Sequence, residues 1–379
     1  MERCRTELLH PVEMTGHIAA WAGLIERCLE PSVFNEPAFA LPAARHIPSF
    51  ARPRFLLVWD EQAQGDPVLI GLCPVKISRF GWAGMPVSAW MHDQATAAFP
   101  LLDRDAAKRA LSAMLQHVAK APGRPAAVFF QGLPKDGATA QLLRRQAEWI
   151  TLPVELRTRA VLWRGGQPTM PAKARKELRR QSRRLSDQGD LRWESARSVE
   201  TIGADVERFL ALEAKGWKGR RGTALLQSDH LRTFTRCMTI GLAASGQCRI
   251  DGLTLDGQPV AMAIVLRSRD RAYYWKTAYD EAFRRLSPGV QLTLAITEAQ
   301  RKEAGLSMTD SCAVPGHTMI DRVWRARMEV VDVMLATRGR GVGFVMTVRL
   351  ERSRRFLKRM IKRGLSMARL RRLRAGTVT

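Results

Sequence analysis

Tyrosine is nearly missing from this 379-residue sequence, which holds three, and acids are scarce beside bases. Thirty-six Asp and Glu face 61 Lys and Arg, a formal net charge of +25. That excess attracts polyanions, whether nucleic acid, an anionic membrane surface, a phosphorylated donor or an acidic glycan, and it says nothing about fold. Six cysteines (Cys4, Cys28, Cys73, Cys237, Cys248, Cys312) are scattered without a C-x-x-C pair. The seven histidines show no H-E-x-x-H or His-x3-His spacing. A disulfide framework and a structural zinc site are thereby argued against, and no metal is expected. No run of about 18 apolar residues occurs, and no long apolar core follows Met1–Cys4. The expectation is a cytoplasmic protein that can touch a membrane but does not cross it.

What is present is globular: 46% hydrophobic and 26% charged residues leave no case for global disorder. A chain of this length exceeds one ordinary core and predicts two domains. In the first half, apolar spacing predicts a helix over 16–30, strands over 55–60 and 68–78, a helix over 106–120 with Asp105 as its cap, a strand over 126–131, a helix over 138–148 and a strand over 151–163. An echo links the halves: Gly65-Asp66-Pro67-Val68 resembles Gly257-Gln258-Pro259-Val260, each between two strands. Repetition of this kind, with the length, supports two copies of one α/β unit. His92 and Asp93 follow the first copy's third strand; they read first as an ordinary polar loop and second as a lining of the cleft between the copies. Residues 164–171 form a Gly/Pro-rich joint.

The most informative stretch runs from Cys248 to Trp324. Cys248–Leu255 and Val260–Arg267 flank Asp256-Gly257 and read as a β-hairpin. Arg271–Ala278 is a third, aromatic strand, and a helix over 290–304 follows Ser287-Pro288-Gly289, with Ser287 as cap and Pro288 in the first turn. A strand, a basic loop and a helix N-terminus can together hold an anion.

Lys276-Thr277-Ala278-Tyr279-Asp280, then Leu286-Ser287-Pro288-Gly289, Asp310 and a distal Trp324 make this block resemble a GNAT-type acyltransferase, more narrowly the BioF-like or CelD-like group related to Fem peptidyltransferases. Glu213, Trp217-Lys218-Gly219 and Gly222-Thr223-Ala224 match upstream. The resemblance covers Pro171–Arg338, and the first 160 or so residues by architecture only. It implies an α/β fold of two tandem GNAT-like domains with mixed sheets: 1–165 degenerate, 166–338 catalytic, with 339–379 a hinge and basic tail. It also implies acetyl-CoA or another acyl-CoA as donor. The donor's arm then lies along the strand containing Tyr274 and Lys276, and its diphosphate lies at Ser287, Gly289, Val290 and Gln291 beside Arg284 and Arg285. Asp310 is the first choice for base and His317 the second, and Tyr279 is counted with them as a catalytic residue. GNAT enzymes often place a tyrosine after the fifth strand as acid for the leaving thiolate, and here none lies there. A Tyr-Lys pair common in Fem-like relatives is also absent near Met319-Ile320.

The basic loop Trp217–Thr223 can meet an acceptor's phosphate or carboxylate through Lys218, Arg220 or Arg221, with Trp217 stacking on it. Cys312, two residues past Asp310, reads as a small buried hydrophobe. Two basic patches concentrate the charge. Lys173, Arg175, Lys176, Arg179, Arg180, Arg183 and Arg184 lie on one helix, which is either a solvated surface or an anion site. Residues 348–374 interleave twelve Lys and Arg with Leu, Met, Ile and Phe. They fit an anionic membrane surface, then docking on the protein itself, then nucleic acid. Gly339-Arg340-Gly341-Val342-Gly343 is a hinge, since the arginine-rich sequence beyond it cannot complete a dinucleotide site.

The expected function is acyl transfer to an amine or hydroxyl of a sugar or envelope-polysaccharide precursor. One alternative is an aminoacyl-tRNA-dependent, Fem-like transferase. The other is a non-catalytic module that binds anionic membrane or nucleic acid.

Overall fold

The computed structural model describes residues 4–49, 52–61, 65–76, 86–166 and 170–375, with side chains to 361. Part of the Gly/Pro joint, part of the loop before His92 and the last side chains of the basic tail lie outside the described residues.

The first half runs β1 (Cys4–Leu9), α1 (Ile18–Arg27), α2 (Pro37–His46), β2 (Arg54–Asp60), β3 (Val68–Lys76), β4 (Val87–Ala89), β5 (Leu101–Leu102), α3 (Ala107–Lys120), β6 (Ala127–Pro134), α4 (Ala138–Arg145) and β7 (Thr151–Trp163). The second runs α5 (Ala172–Ser186), β8 (Leu191–Ala196), α6 (Val199–Lys215), α7 (Trp217–Arg220), α8 (Asp229–Ala244), β9 (Cys248–Leu255), β10 (Gln258–Ser268), β11 (Arg271–Tyr279), α9 (Pro288–Lys302), β12 (Met308–Asp310), α10 (Ile320–Val323), β13 (Arg327–Ala336) and α11 (Val342–Ala375). The expected α/β class with mixed pairing is what is found.

Each half repeats one plan. The hairpins β2–β3 and β9–β10 carry the two Gly-x-Pro-Val echoes at their turns, and both Gly65 and Gly257 have positive φ. Each half then makes one parallel pair across a helix: β4 with β6 around α3, and β11 with β12 around α9. Such a connection needs a helix to carry the chain back over the sheet.

The last strand of each half is exchanged. The order β6-β13-β7-β12 places β13 of the second half beside β6 of the first, and β7 of the first beside β12 of the second. Along β7, residues Thr151 to Ala160 pair with β13 and Val161 to Trp163 pair with β12. One sheet of thirteen strands results, with β5 off its main path.

Asp332 fastens the exchange. It sits at an irregularity in β13 and is fully buried, and its carboxylate accepts from Gly132 N (2.7 Å), Arg157 (2.7 Å) and Arg355 (2.6 Å). A buried carboxylate is tolerated only with partners of this kind. Gly132 has φ +69°, and a Cβ there would lie 2.4 Å from the Thr96 carbonyl oxygen. Glycine therefore lets the segment 94–98 press against β6, where Ala98 bridges Gln131.

Two sequence expectations change, and one element is added. Residues 31–53, to which no element was assigned, hold α2, whose Phe39 packs edge-on against Phe234 and Trp275 in a core that both halves share. Asp105 does not cap α3; Ala106 holds that position without a side-chain bond. The basic helix begins earlier than expected, and Phe344 and Val348 dock it among Ala127, Phe129, Met334 and Ala336.

Replacing Asp332 with Ala leaves two guanidinium groups facing an empty site. Asp332→Ala should destabilise the protein by ~3–5 kcal/mol in urea unfolding. Asp332→Asn, which keeps an acceptor, should lose clearly less.

Candidate active site

β11 and β12 pair over three residues, ending at Tyr273 opposite Asp310. Beyond that point β11 continues to Tyr279 without a strand on that side among the described residues. A strand edge with unpaired N–H and C=O groups is an invitation to an extended ligand.

At that point β11 is bulged. Tyr274 pairs with Val265 and Lys276 with Ile264, leaving Trp275 as the extra residue. Strict alternation would put Lys276 on the face of Tyr274. The bulge instead turns Lys276 to the side of Trp275, with its Nζ 5.1 Å from the indole centre. The two faces serve different ends. Tyr274 is buried against α9, sharing a hydrogen bond with Thr293 Oγ1 (3.1 Å) and packing on Trp324, so its side chain belongs to the core.

Lys276 is half-buried among charges from both halves. Burial first, and then Lys218, lower its pKa from 10.5 to about 8, against the opposing pull of Glu213, Cys312 and Asp93. It makes no ion pair among the described residues. His92, packed on Trp90 and Phe39, is pushed down to about 4 by burial and by Lys276, and so it is neutral at physiological pH. Beside this pair a cleft of about 330 Å³ opens between the halves. His92, Asp93 and Thr96 form one wall, Gln131, Arg157 and Arg159 another, and Cys312 to Pro315 the third.

Asp310 lies elsewhere in the arrangement. It is buried, one oxygen accepting from Arg159 (2.6 Å), which ties β12 to β7, and the other from Cys312 N (2.8 Å) in the turn that follows β12. Cys312 takes a left-handed backbone (φ 52), and burial raises its thiol well above the usual range, which suits packing rather than nucleophilic attack. His317 accepts from Ile320 N (3.4 Å) and stands at the start of α10. Neither Asp310 nor His317 is among the residues lining the cleft.

The corner before α9 also differs from expectation. Ser287 is left-handed (φ 53) and makes no side-chain cap. Its carbonyl receives Val290 N (3.0 Å) and Gln291 N (3.1 Å), while Gly289 is covered by Met319 and Tyr279. The Gln291 side chain donates to Leu286 O (2.7 Å). The amides of this turn are thus largely occupied. Arg284 and Arg285 beside it are exposed and have no carboxylate partner among the described ion pairs.

The 217–221 segment is drawn to the same end of β11. Glu281 accepts from Trp217 N (2.7 Å) and Arg220 (2.5 Å), and Lys218 donates to buried Glu213 (2.5 Å). Arg221 stacks on the Trp217 ring at 4.9 Å. Gly219 makes the fold possible, because a Cβ there would fall 1.8 Å from Ala214 O.

Residues 172–317 match the family model described as acetyltransferase (GNAT) domain. This segment is a GNAT-type acyltransferase domain. It contains the bulged strand with its open edge and the 217–221 segment. No curated protein matches the chain in sequence. Among solved structures, the chain is similar to the C-terminal domain of a putative lysylphosphatidylglycerol synthetase from Agrobacterium fabrum, with a TM-score of 0.53 and 11% identity over 88% of this chain and 95% of that one. It is similar also to FemX, with a TM-score of 0.54 and 11% identity over 87% and 96%. At such identity the likeness concerns the fold, and it extends well beyond the GNAT domain into the first half.

Lys276 carries a stability signature of its own. Its folded pKa lies below the unfolded value, so its buried charge opposes folding fully below pH 8, and the effect fades as pH rises to about 10.5. Lys276→Met should therefore raise stability by ~1–3 kcal/mol at pH 7. Thermal unfolding across the pH range should show that advantage vanishing above about pH 10.5.

Proposed function

We propose that the protein transfers an acyl group, acetyl in the first instance, from acyl-CoA to an amine or hydroxyl of a sugar or cell-envelope polysaccharide precursor, in the manner of the BioF-like or CelD-like group. The observation that carries this reading is the end of the β11–β12 pairing at Tyr273, just before the bulge that turns Lys276 to the side of Trp275. Acyl-CoA supplies an activated thioester carbon. The chain's residues supply the rest. The open edge of β11 from Tyr274 onward offers amides and carbonyls to an extended donor arm. Arg284 and Arg285 offer unpaired cations to its phosphates, a role the occupied amides of Ser287–Gln291 leave to side chains. Trp217, Arg220 and Arg221 offer a stacking face and cations to the acceptor.

Lys276 is the proton acceptor in this scheme. A lysine at its ordinary pKa would be almost wholly protonated at neutral pH, whereas one near 8 is free as the amine in an appreciable fraction. The neutral His92 beside it keeps a second positive charge out of the opening. Asp310 acts as a positioning residue through Arg159.

A second reading takes aminoacyl-tRNA as donor. It draws on α5, where Lys173, Arg175, Lys176, Arg179, Arg183 and Arg184 are exposed without carboxylate partners among the described ion pairs. Such a row suits a phosphate backbone.

Calorimetric titration with CoA, followed by thiol release from acetyl-CoA over a panel of amino sugars, tests the first reading. CoA should bind, and release should rise with pH through an apparent pKa near 8, the direction required of a base. Lys276→Met should lower kcat/KM by ~10²–10⁴-fold while leaving CoA affinity nearly unchanged. Absence of CoA binding together with steeply salt-dependent tRNA binding would replace this reading with the second.

A further inference from the structure

α11 has two faces of opposite use. Phe344 and Val348 enter the core beneath β13, and Arg355 reaches Asp332 (2.6 Å), Glu155 and the ring of Phe129 at 5.1 Å. The other side is apolar and open. Met346, Leu350, Phe356, Leu357, Met360 and Ile361 are each 50–60% exposed. At 100° per residue these six share an arc of about 140°, interrupted by the exposed Arg349 and Ser353 and centred roughly opposite the docked residues. Scattered exposed apolar side chains need no explanation, but a stripe on a charged helix does.

The helix's charge selects the occupant. Residues 342–375 contain twelve Lys and Arg and one acid, Glu351, which is already paired with Arg354 and Arg355. A second copy packed face to face would bring two such sets of like charge together. A nucleic acid would satisfy the cations and leave an aliphatic stripe in water. An anionic lipid surface satisfies both at once, with acyl chains against the apolar arc and headgroups against the flanking cations. We propose that the outward face of α11 lies in the interface of an anionic membrane while its inward face stays docked on the protein, so that the body is carried at the lipid surface. This assignment stands independently of the acyl-transfer reading.

Co-sedimentation of the full chain with vesicles tests it. The protein should pellet with vesicles containing phosphatidylglycerol, not with pure phosphatidylcholine vesicles, and high salt should weaken the association. The double variant Phe356→Glu, Leu357→Glu alters two solvent-facing side chains, so its thermal unfolding should match that of the parent, while its partitioning falls at least about tenfold. Lys358→Glu should weaken binding less. Equal pelleting of parent and double variant, or indifference to lipid charge, would overturn the proposal. So would a lipid-free dimer that the double variant dissolves, which would hand the face to a second copy. Binding of nucleic acid with no binding of vesicles would overturn it as well.

Discussion

The exchange of β7 and β13 is the constraint on which the rest depends. A sheet edge is closed only by backbone pairing, and here each half closes the other's edge. β13 stands between β6 and β7, while β7 passes on to β12. The residues that register this exchange also build the cleft. Arg157 and Arg159 are neighbours but one on β7; the first holds Asp332 and the second holds Asp310. Their stretch of strand is at once a seam between halves and a wall of the opening. Loosening the pairing would separate the 92–96 segment from the 311–315 segment, which belong to different halves and face each other only because the strands cross over.

Within that frame one irregularity decides the chemistry. The bulge at Trp275 gives two successive side chains the same face and puts an amine where aromatic rings and a second lysine surround it. Removal of water penalises the charged form of both Lys276 and His92; Lys276 lowers His92 further, and Lys218 lowers Lys276. The result is an amine poised near neutrality beside a neutral imidazole. Asp310 took the opposite path: with a guanidinium and an amide on its two oxygens, it stays part of the scaffold.

Much of the fold was legible beforehand, for reasons that can be named. The hairpin β9–β10 announced itself through Asp256-Gly257, and its echo at Gly65 disclosed the repeat. α2 was not foreseen: its sequence holds Pro37 and Pro42, yet Pro37 sits where a helix start tolerates proline and burial of Phe39 secures the remainder. The site was legible only in pieces. Lys276 was singled out with Tyr274 as lying along the donor's arm, and no local signal reports the bulge that sends them to opposite faces. Ser287 was assigned a cap on composition, whereas its backbone turned left-handed and used its carbonyl instead. Thr96, Gln131, Arg157 and Arg159 carried no signal at all, being ordinary polar residues in strands and loops.

What the sequence determined by itself was what short-range physics governs: the period of strands and helices, the positions of turns, the basic amphipathic tail and a family-level resemblance over the second half. The tertiary structure alone decided which charges would face one another. Ion pairs such as Arg159–Asp310 and Arg355–Asp332 join residues remote in the chain, and a side chain's pKa depends on the water it loses and the charges it meets. Both follow from strand exchange and burial, which are properties of the assembled sheet.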